Sequence, residues 1–506
     1  MNFSKTKFIL IISLLFYGDI AFAQLPLFQK QFDVFHNSEG LAQSISLDSG
    51  YVLFGSGADV NAQDSTRFNK AFIIGTDLWG NEKWRETIFK NYHNSGFSIT
   101  SPSKISDTVF ETLIGINDTT SYFPKTYLVR FDVKNHDTIQ MRPVNMNTDT
   151  VTIRTYTRLK NGDYVFVAKQ VASIQQYNNL ILMRCDSNLN RIWYKEYSWD
   201  GLAMPLSVTF TANNQILVSG HKYDSLWIGF FDYSWLMRLD MQGNIIYEKQ
   251  YGVSPIFSYS YNLELPSGNI LLYGEGRNSV TTRAASISKV TANGDSLWSR
   301  TYSNIDPIWG VQPTAGNTFV FTASARLPSY GNQVGTIFKT DSNGNILWQR
   351  YYYTSYHDHY LNSIKHTIDG KGFLMTGICL DTTAVKGAQN GWLIVADSFG
   401  CIQPGCQLHD LVQEINPFKK SDYLTVFPNP FTNQTTVKYT LPEYLVDAEI
   451  LLMNSDGKII NTHEIKNQHN GKVEINCSEC AEGNYYIMLK ANGRLQESKK
   501  VVLNKQ

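Results

Sequence analysis

Charge is scarce in this chain and evenly split. Asp, Glu, Lys and Arg make up 17% of its 506 residues, with 44 basic side chains against 44 acidic ones. Nucleic acids and acidic membranes are held by a basic face. Zero net charge therefore speaks against both partners, while a local charged patch stays open. Long apolar runs are missing too. The N-terminal run, residues 8–16, falls short of the ~20 residues that span a bilayer, and Asp19 would be costly in lipid. No other stretch is apolar enough, so no transmembrane segment is expected in the mature chain. Local catalytic signatures are also absent: there is no G-x-S-x-G elbow, HExxH, Walker loop or GxGxxG ahead of a helix. No catalytic residue and no cofactor is assigned. Glycosidase carboxylate pairs and sialidase arginine clusters are gathered from distant parts of a chain, which leaves an enzyme open.

Cysteine is sparse, with six in all: Cys185, Cys379, Cys401, Cys406, Cys477 and Cys480. In an oxidising compartment, near pairs become disulfides, so Cys401–Cys406 and Cys477–Cys480 are the local bridges to expect. Cys477-Ser478-Glu479-Cys480 has redox-motif spacing but lacks the βαβ context. Four cysteines also suit zinc, but no further ligand pattern lies nearby. A structural staple is favoured and no metal is expected.

The N-terminus supplies the compartment. Lys5 and Lys7 precede the apolar run, Ala21-Phe22-Ala23 is a small-x-small cleavage pattern, and Gln24 is the expected mature start. Residues 1–23 thus read as a signal peptide. No cysteine follows the cleavage site, so a lipid-anchored start is not expected.

A repeat of roughly 50 residues dominates the middle of the chain. Its core is a turn beginning with Asp and leading to an aromatic, as in Asp77-Leu78-Trp79-Gly80-Asn81-Glu82-Lys83-Trp84. Copies start at Asp186, Asp240, Thr291 and Asp341, with degenerate ones at Asp132 and Asp397. A short apolar strand precedes each, such as Tyr164-Val165-Phe166-Val167. Asp bonds its own turn backbone, and Gly supplies the left-handed residue that a tight hairpin needs. The aromatic fills the gap between neighbouring sheets. Units of about four strands at this period predict a seven-bladed β-propeller over residues 24–406. The unit after Asp397 lacks its aromatic strand, and an orphan strand of that type, Leu27-Phe28-Gln29-Lys30-Gln31-Phe32, sits at the other end. It is expected to complete the last blade and close the ring.

Two features compete as sites. Asp341-x-Asn343-x-Asn345 and Asp186-x-Asn188-x-Asn190 are spaced like a calcium loop, but the distal Glu and flanking helices are absent, so they read as hairpin turns. Tyr353, Tyr356, His357, Asp358 and His359 form the most unusual segment. Aromatics beside His and Asp can stack on a sugar and bond its hydroxyls, and the two histidines suit a metal; the alternative is an aromatic strand followed by a polar loop.

The end of the chain carries a family resemblance. Pro428-Asn429-Pro430, the strand Ala448-Glu449-Ile450-Leu451-Leu452 leading to Asp456-Gly457-Lys458, Gly483-Asn484-Tyr485-Tyr486 and a basic strand ending in Val501-Val502 closely resemble the type A C-terminal sorting domain of the type IX (Por) secretion system. The short alternating runs between turns suit a small immunoglobulin-like β-sandwich. The resemblance implies a partner, the type IX machinery. It also implies a route through the periplasm and across the outer membrane, after which the passenger is released or attached at the cell surface. The repeat turns resemble those of quinoprotein-type propellers in architecture alone.

The reading is an all-β protein: signal peptide 1–23, propeller 24–406, linker 407–423 and sorting domain 424–506. The expected function is a secreted or cell-surface binding module for a glycan or an extracellular protein. The alternatives are a propeller glycoside hydrolase or lyase acting on polysaccharide, and a structural surface protein.

Overall fold

The computed structural model describes residues 25–35, 38–60, 67–88, 102–116, 125–146, 151–170, 179–198, 202–223, 232–251, 259–277, 283–326, 332–354, 358–381, 388–403, 406, 423–441, 448–454, 458–465, 469–491 and 494–505. The expected signal peptide lies outside them. Among the described residues every element is a strand, with no α-helix.

The body is a succession of antiparallel four-stranded meanders. The first runs from strand Ser38–Leu47 to Glu82–Ile88, the second from Ser103–Lys104 to Asp137–Pro143, and the third from Val151–Arg158 to Arg191–Tyr197. The fourth runs from Leu202–Phe210 to Ile245–Tyr251, the fifth from Tyr259–Glu264 to Ser296–Tyr302, and the sixth from Gly310–Thr314 to Ile346–Tyr352. The last contains His359–His366, Gly372–Asp381 and Ala388–Asp397. It meets the first through a single parallel pair, Ser38 with Gln389, so the two form one eight-stranded sheet.

Packing explains the strand composition. In the third meander, Tyr164–Gln170 and Leu180–Cys185 are almost wholly buried, whereas the outer strand Arg191–Tyr197 is mostly exposed or half-buried. Strands covered on both faces read as continuous apolar runs. Apolar clusters lie between successive meanders. One joins Val165, Val167 and Leu182 of the third to Val218, Trp235 and Met237 of the fourth. Another joins the last to the first through Leu374, Leu393 and Val395 against Leu53, Phe72 and Ile74. The result is propeller-like, with no free end of the stack among the described sheets.

The Asp turn carries its own hydrogen bonds. Asp341 Oδ1 accepts from the backbone N–H of Asn343 (2.8 Å) and Asn345 (2.9 Å), and Oδ2 accepts from the Asn345 amide (2.7 Å). Asp186 and Asp240 repeat this set. The Asp341 carboxylate is therefore occupied by its own turn.

Each turn is also gripped by the preceding meander. Trp193 Nε1 donates to the Met241 carbonyl (2.8 Å), Lys195 Nζ to Asn244 Oδ1 (2.7 Å) and the Tyr197 hydroxyl to the Gly243 carbonyl (2.7 Å). Gly243 has φ +76°, and a Cβ there would stand 3.1 Å from both Trp193 and Lys195. Glycine thus serves both the left-handed turn and the close approach. Tyr251, Tyr302 and Tyr352 make the equivalent bond to Gly294, Gly344 and Gly400, at 2.8, 2.6 and 2.6 Å. The alternation Trp-x-Lys-x-Tyr puts all three gripping side chains on one face of the strand.

The second meander breaks this pattern. Its Glu111 pairs with Arg130, at the register position where the other meanders place Val52, Val165, Leu217, Leu271, Val320 and Leu374. Glu111 is fully buried, and its Oε2 accepts from Arg130 Nε (2.7 Å), Arg142 Nη2 (3.2 Å) and the Tyr164 hydroxyl (3.1 Å).

The orphan N-terminal strand completes the last meander as its sequence predicts. Phe28–Phe32 pairs antiparallel with Ala388–Asp397, Phe28 opposite Val395 and Phe32 opposite Gly391. Phe28 packs on Gly80, and Lys30 bonds the Asn81 side chain, so this strand grips the first Asp turn. Just past the last Asp turn, a disulfide joins Cys401 and Cys406.

The C-terminal unit has two sheets, one of three strands and one of four. Leu424, Val437, Val473 and Ile475 from one share a core with Ile450, Leu452, Ile487, Leu489 and Val501 from the other. A second disulfide joins Cys477 and Cys480.

Candidate functional site

In an antiparallel meander, the Asp turns and the turns between first and second strands fall at one end. The opposite end carries the connections between second and third strands and between meanders. Polar side chains of the fifth, sixth and last meanders gather at that opposite end. Glu275, on strand Ile270–Arg277, is 1% exposed. Arg283, opening strand Arg283–Val290, holds it with two parallel bonds: Nε to Oε1 at 2.9 Å and Nη2 to Oε2 at 2.8 Å. Such a fork adds directional strength, and the Arg283 side chain keeps half its surface open to solvent.

Asp306 lies between the fifth and sixth meanders, tied by its backbone N–H to the Ser324 carbonyl (2.7 Å). Its Oδ2 is buried without a hydrogen-bond partner among the described residues. Burial pushes its carboxyl up, against the pull of Arg326 and Arg283, and Glu275 adds to the rise. Asp358 Oδ1 accepts from the Gln333 backbone N–H (2.8 Å). Burial, with Asp358 and Asp306, raises the neighbouring Tyr360 hydroxyl. Arg283 and Arg326 are exposed here and Asp306 and Asp358 half-buried, while Glu275 lies beneath Arg283. On the same end of the third and fourth meanders, His221 is buried and pushed down to about 3 by burial, Arg154 and Lys169. It is a neutral side chain at physiological pH.

The structure separates the residues of the aromatic segment. His359 is fully buried, its Nε2 facing the Thr354 N–H (3.2 Å) and hydroxyl (3.1 Å) and its ring against Trp392. Tyr353 is buried against Ala325 and Val334. Asp358 alone of the described three joins the polar cluster; Tyr356 and His357 lie outside the described residues. Sequence reasoning missed Glu275, Arg283, Asp306 and Arg326. The available signal was Gly274-Glu275-Gly276, a carboxylate interrupting an apolar strand. Among the described residues, no group of three or more His, Cys, Asp or Glu side chains is arranged to hold a metal ion.

In the C-terminal unit, Pro428 and Pro430 both follow cis peptide bonds. Asn429 between them donates to the Lys500 carbonyl (3.0 Å) and accepts from the Val502 N–H (2.9 Å), clamping the start of the unit to its last strand. Gly483 opens strand Gly483–Ala491 at φ +147°. The Tyr485 hydroxyl donates to the Ala481 carbonyl (2.7 Å). Gly457 lies outside the described residues.

Comparison with known proteins bears on both parts. Residues 425–504 match the family model of a secretion system C-terminal sorting domain. The match supports a type IX sorting domain and indicates export by that route to the cell surface or the extracellular space. No curated protein matches the chain. Among solved structures, the acylaminoacyl peptidase of Pyrococcus horikoshii aligns at 11% identity and a TM-score of 0.42, over 81% of this chain and 59% of that one. The chain thus spans about three fifths of that peptidase's length. The β-propeller domain of the Trilobed protease from Pyrococcus furiosus aligns at 11% identity and a TM-score of 0.41, over 70% and 93%. A protein of unknown function from Bacteroides caccae aligns at 11% and 0.35, over 56% and 90%. Likenesses this distant transfer none of the peptidases' chemistry.

Proposed function

We propose that the protein is a secreted or cell-surface binding module: a seven-bladed propeller over residues 24–406, a linker over 407–423, and an immunoglobulin-like sorting sandwich over 424–506 that engages the type IX machinery. The ligand, a glycan or an extracellular protein, sits on the end of the ring opposite the Asp turns. The observation that carries this reading is the gathering of Glu275, Arg283, Asp306, Arg326 and Asp358 from three separate meanders at that end. Groups brought together from distant sequence on a rigid frame are what polar recognition requires. Asp358 anchors the rim of the site, and Tyr356 and His357, which precede it in sequence, are the further contacts proposed.

The test is a panel of glycans and extracellular proteins screened for retention on the purified protein, alongside Arg326→Ala and Asp306→Asn. Retention lost by about tenfold or more in both variants is expected, since a hydrogen bond to a charged group contributes about 1.5–3 kcal/mol. Equal retention by both variants would move the site elsewhere. A second reading, a hydrolase or lyase acting on polysaccharide, is favoured by the raised carboxyl of Asp306 beside other carboxylates. Product formation in the same screen selects it. Export has its own check: removing residues 424–506 should retain the passenger in the periplasm of a type IX-competent host.

A further inference from the structure

One register position links three meanders at the end opposite the Asp turns. Four residues on from Val165, Leu217 and Leu271, the second strands place Lys169, His221 and Glu275. The two charged members differ in their partners. Glu275 is held by Arg283 through two parallel bonds. Lys169 forms no ion pair among the described residues; its amine meets the Met204 thioether, Nζ to Sδ at 3.4 Å.

A second cation stands near it. The register of the third meander slips between Ile153, opposite Ala168, and Thr155, opposite Val167, which leaves Arg154 as a bulged residue. A bulge re-aims the side chain it carries. The same slip falls on Ala42, Leu206 and Asn362 in the first, fourth and last meanders, so the charge is particular to the third. The Arg154 charge is felt on three successive meanders. Burial and Arg154 hold the Lys169 amine below the usual lysine range, and the two also lower His221. Burial raises the Tyr261 hydroxyl, and Arg154 opposes that rise. A guanidinium within reach of the third, fourth and fifth meanders is placed at their shared inner side. Burial and mutual repulsion both disfavour two cations, and no carboxylate is among the described groups that act on Lys169 or His221. An anion seated between the cations would reverse both effects. Arg154 and Lys169 are each half-buried and keep surface for such a ligand.

We propose, resting on the binding reading above, that Arg154 and Lys169 hold the carboxylate of a uronic acid unit, so that the ligand at this end is an acidic glycan. The guanidinium fork matches the two oxygens of a carboxylate, and the ammonium adds a point charge. The adjoining first strands favour a saccharide over an acidic peptide. Thr155, Thr157 and Ser207 there are half-buried hydroxyls suited to sugar hydroxyls, and Tyr261 adds a half-buried aromatic ring.

The test measures binding of polygalacturonate, alginate and hyaluronan to the purified protein by calorimetry, each beside its methyl-esterified counterpart, which keeps the backbone and removes the charge. At least one uronan should bind saturably, and esterification should weaken it by about tenfold or more. Arg154→Gln and Lys169→Met should each weaken it by about tenfold, as for loss of a hydrogen bond to a charged group. Lys169→Met should melt no lower than the parent, since it removes one of two repelling cations and leaves an apolar stem beside Met204. Binding by no uronan, equal binding of the ester, full binding by either variant, tighter binding of polyglutamate, or a lower melting temperature for Lys169→Met would each overturn the proposal. Retention of a neutral glycan alone, lost in Arg326→Ala and Asp306→Asn, would keep the binding reading and overturn this one.

Discussion

Two of the junctions that hold this stack of sheets together differ in kind. At each junction from the third meander to the last, a tyrosine hydroxyl meets a left-handed glycine's carbonyl at 2.6–2.8 Å. The second meander meets the third through Glu111, Arg130, Arg142 and Tyr164. The first kind is neutral, repeated and built on turn chemistry. The second buries a charge at a position that is apolar in its sister meanders. A repeat array tolerates one such substitution when compensating partners arrive with it, because an unpaired buried charge costs several kcal/mol. The array is thus a sum of junctions of unlike chemistry rather than one junction repeated.

The largest effect is expected where the stack is closed. Deleting residues 24–34 removes Phe28 and Phe32 and bares the edge of Ala388–Asp397. Stability should fall on the order of 5 kcal/mol, as for loss of large buried aromatics, seen as a lower and broader thermal transition. A truncation that melts like the intact protein would show the junctions to be independent of closure. Next, Glu111→Ala leaves two guanidiniums beside a cavity and should cost about 3–5 kcal/mol in urea unfolding. The pair Glu111→Val with Arg130→Met exchanges the buried ion pair for apolar side chains and should recover at least half of that loss. No recovery would mean that the two kinds of junction are not interchangeable.

Smaller again is the single neutral bond. Tyr302→Phe should cost about 1 kcal/mol, the usual worth of a hydrogen bond, and combine additively with Tyr197→Phe because the two junctions share no residue.

The smallest effect separates turns whose first residue is a carboxylate from one whose first residue is a threonine. The Asn345 amide, with the backbone N–H groups of Asn345 and Asn343, holds Asp341 below the usual carboxylate range, and similar bonds lower Asp186 and Asp240. Carboxyls depressed in the folded state lend stability that is full above the unfolded value, about 4, and is lost as pH falls below it. The fifth meander's turn uses Thr291, whose hydroxyl accepts from the Asp295 N–H (3.0 Å) without titrating. Asp240→Thr should therefore flatten the drop in urea midpoint between pH 5 and pH 3 by a small, measurable step.

Legibility in the sequence divides along the same line. The Asp turns, the gripping aromatics and the orphan strand are legible because each is a short string whose chemistry is local. The closing strand shows itself because one unit lacks a piece that another stretch supplies. Glu111 stays hidden because its cost depends on burial and on partners 19, 31 and 53 residues away. Arg283 and Asp306 stay hidden for the same reason: neither belongs to a motif, and only the stacking of the fifth, sixth and last meanders brings them near Arg326. Among the residues that the sequence singles out, His359 shows the limit most clearly. An aromatic-rich His-Asp-His string looks like a surface site, but strand pairing turns His359 into the core beneath Thr354 while Asp358 stays at the rim.

The pairing of Phe28 with Val395 also sets an order in time. Residue 28 leaves the ribosome long before its sheet partner exists, and loop closure over so long a separation makes this contact slow to form. Until residues 388–397 have emerged, the first-made strand has nowhere to dock. The last meander completes itself only when almost everything ahead of the sorting domain has been delivered. Completion of the body and appearance of its export label thus become neighbouring events, and a chain interrupted anywhere before residue 397 is left open, without a closed edge.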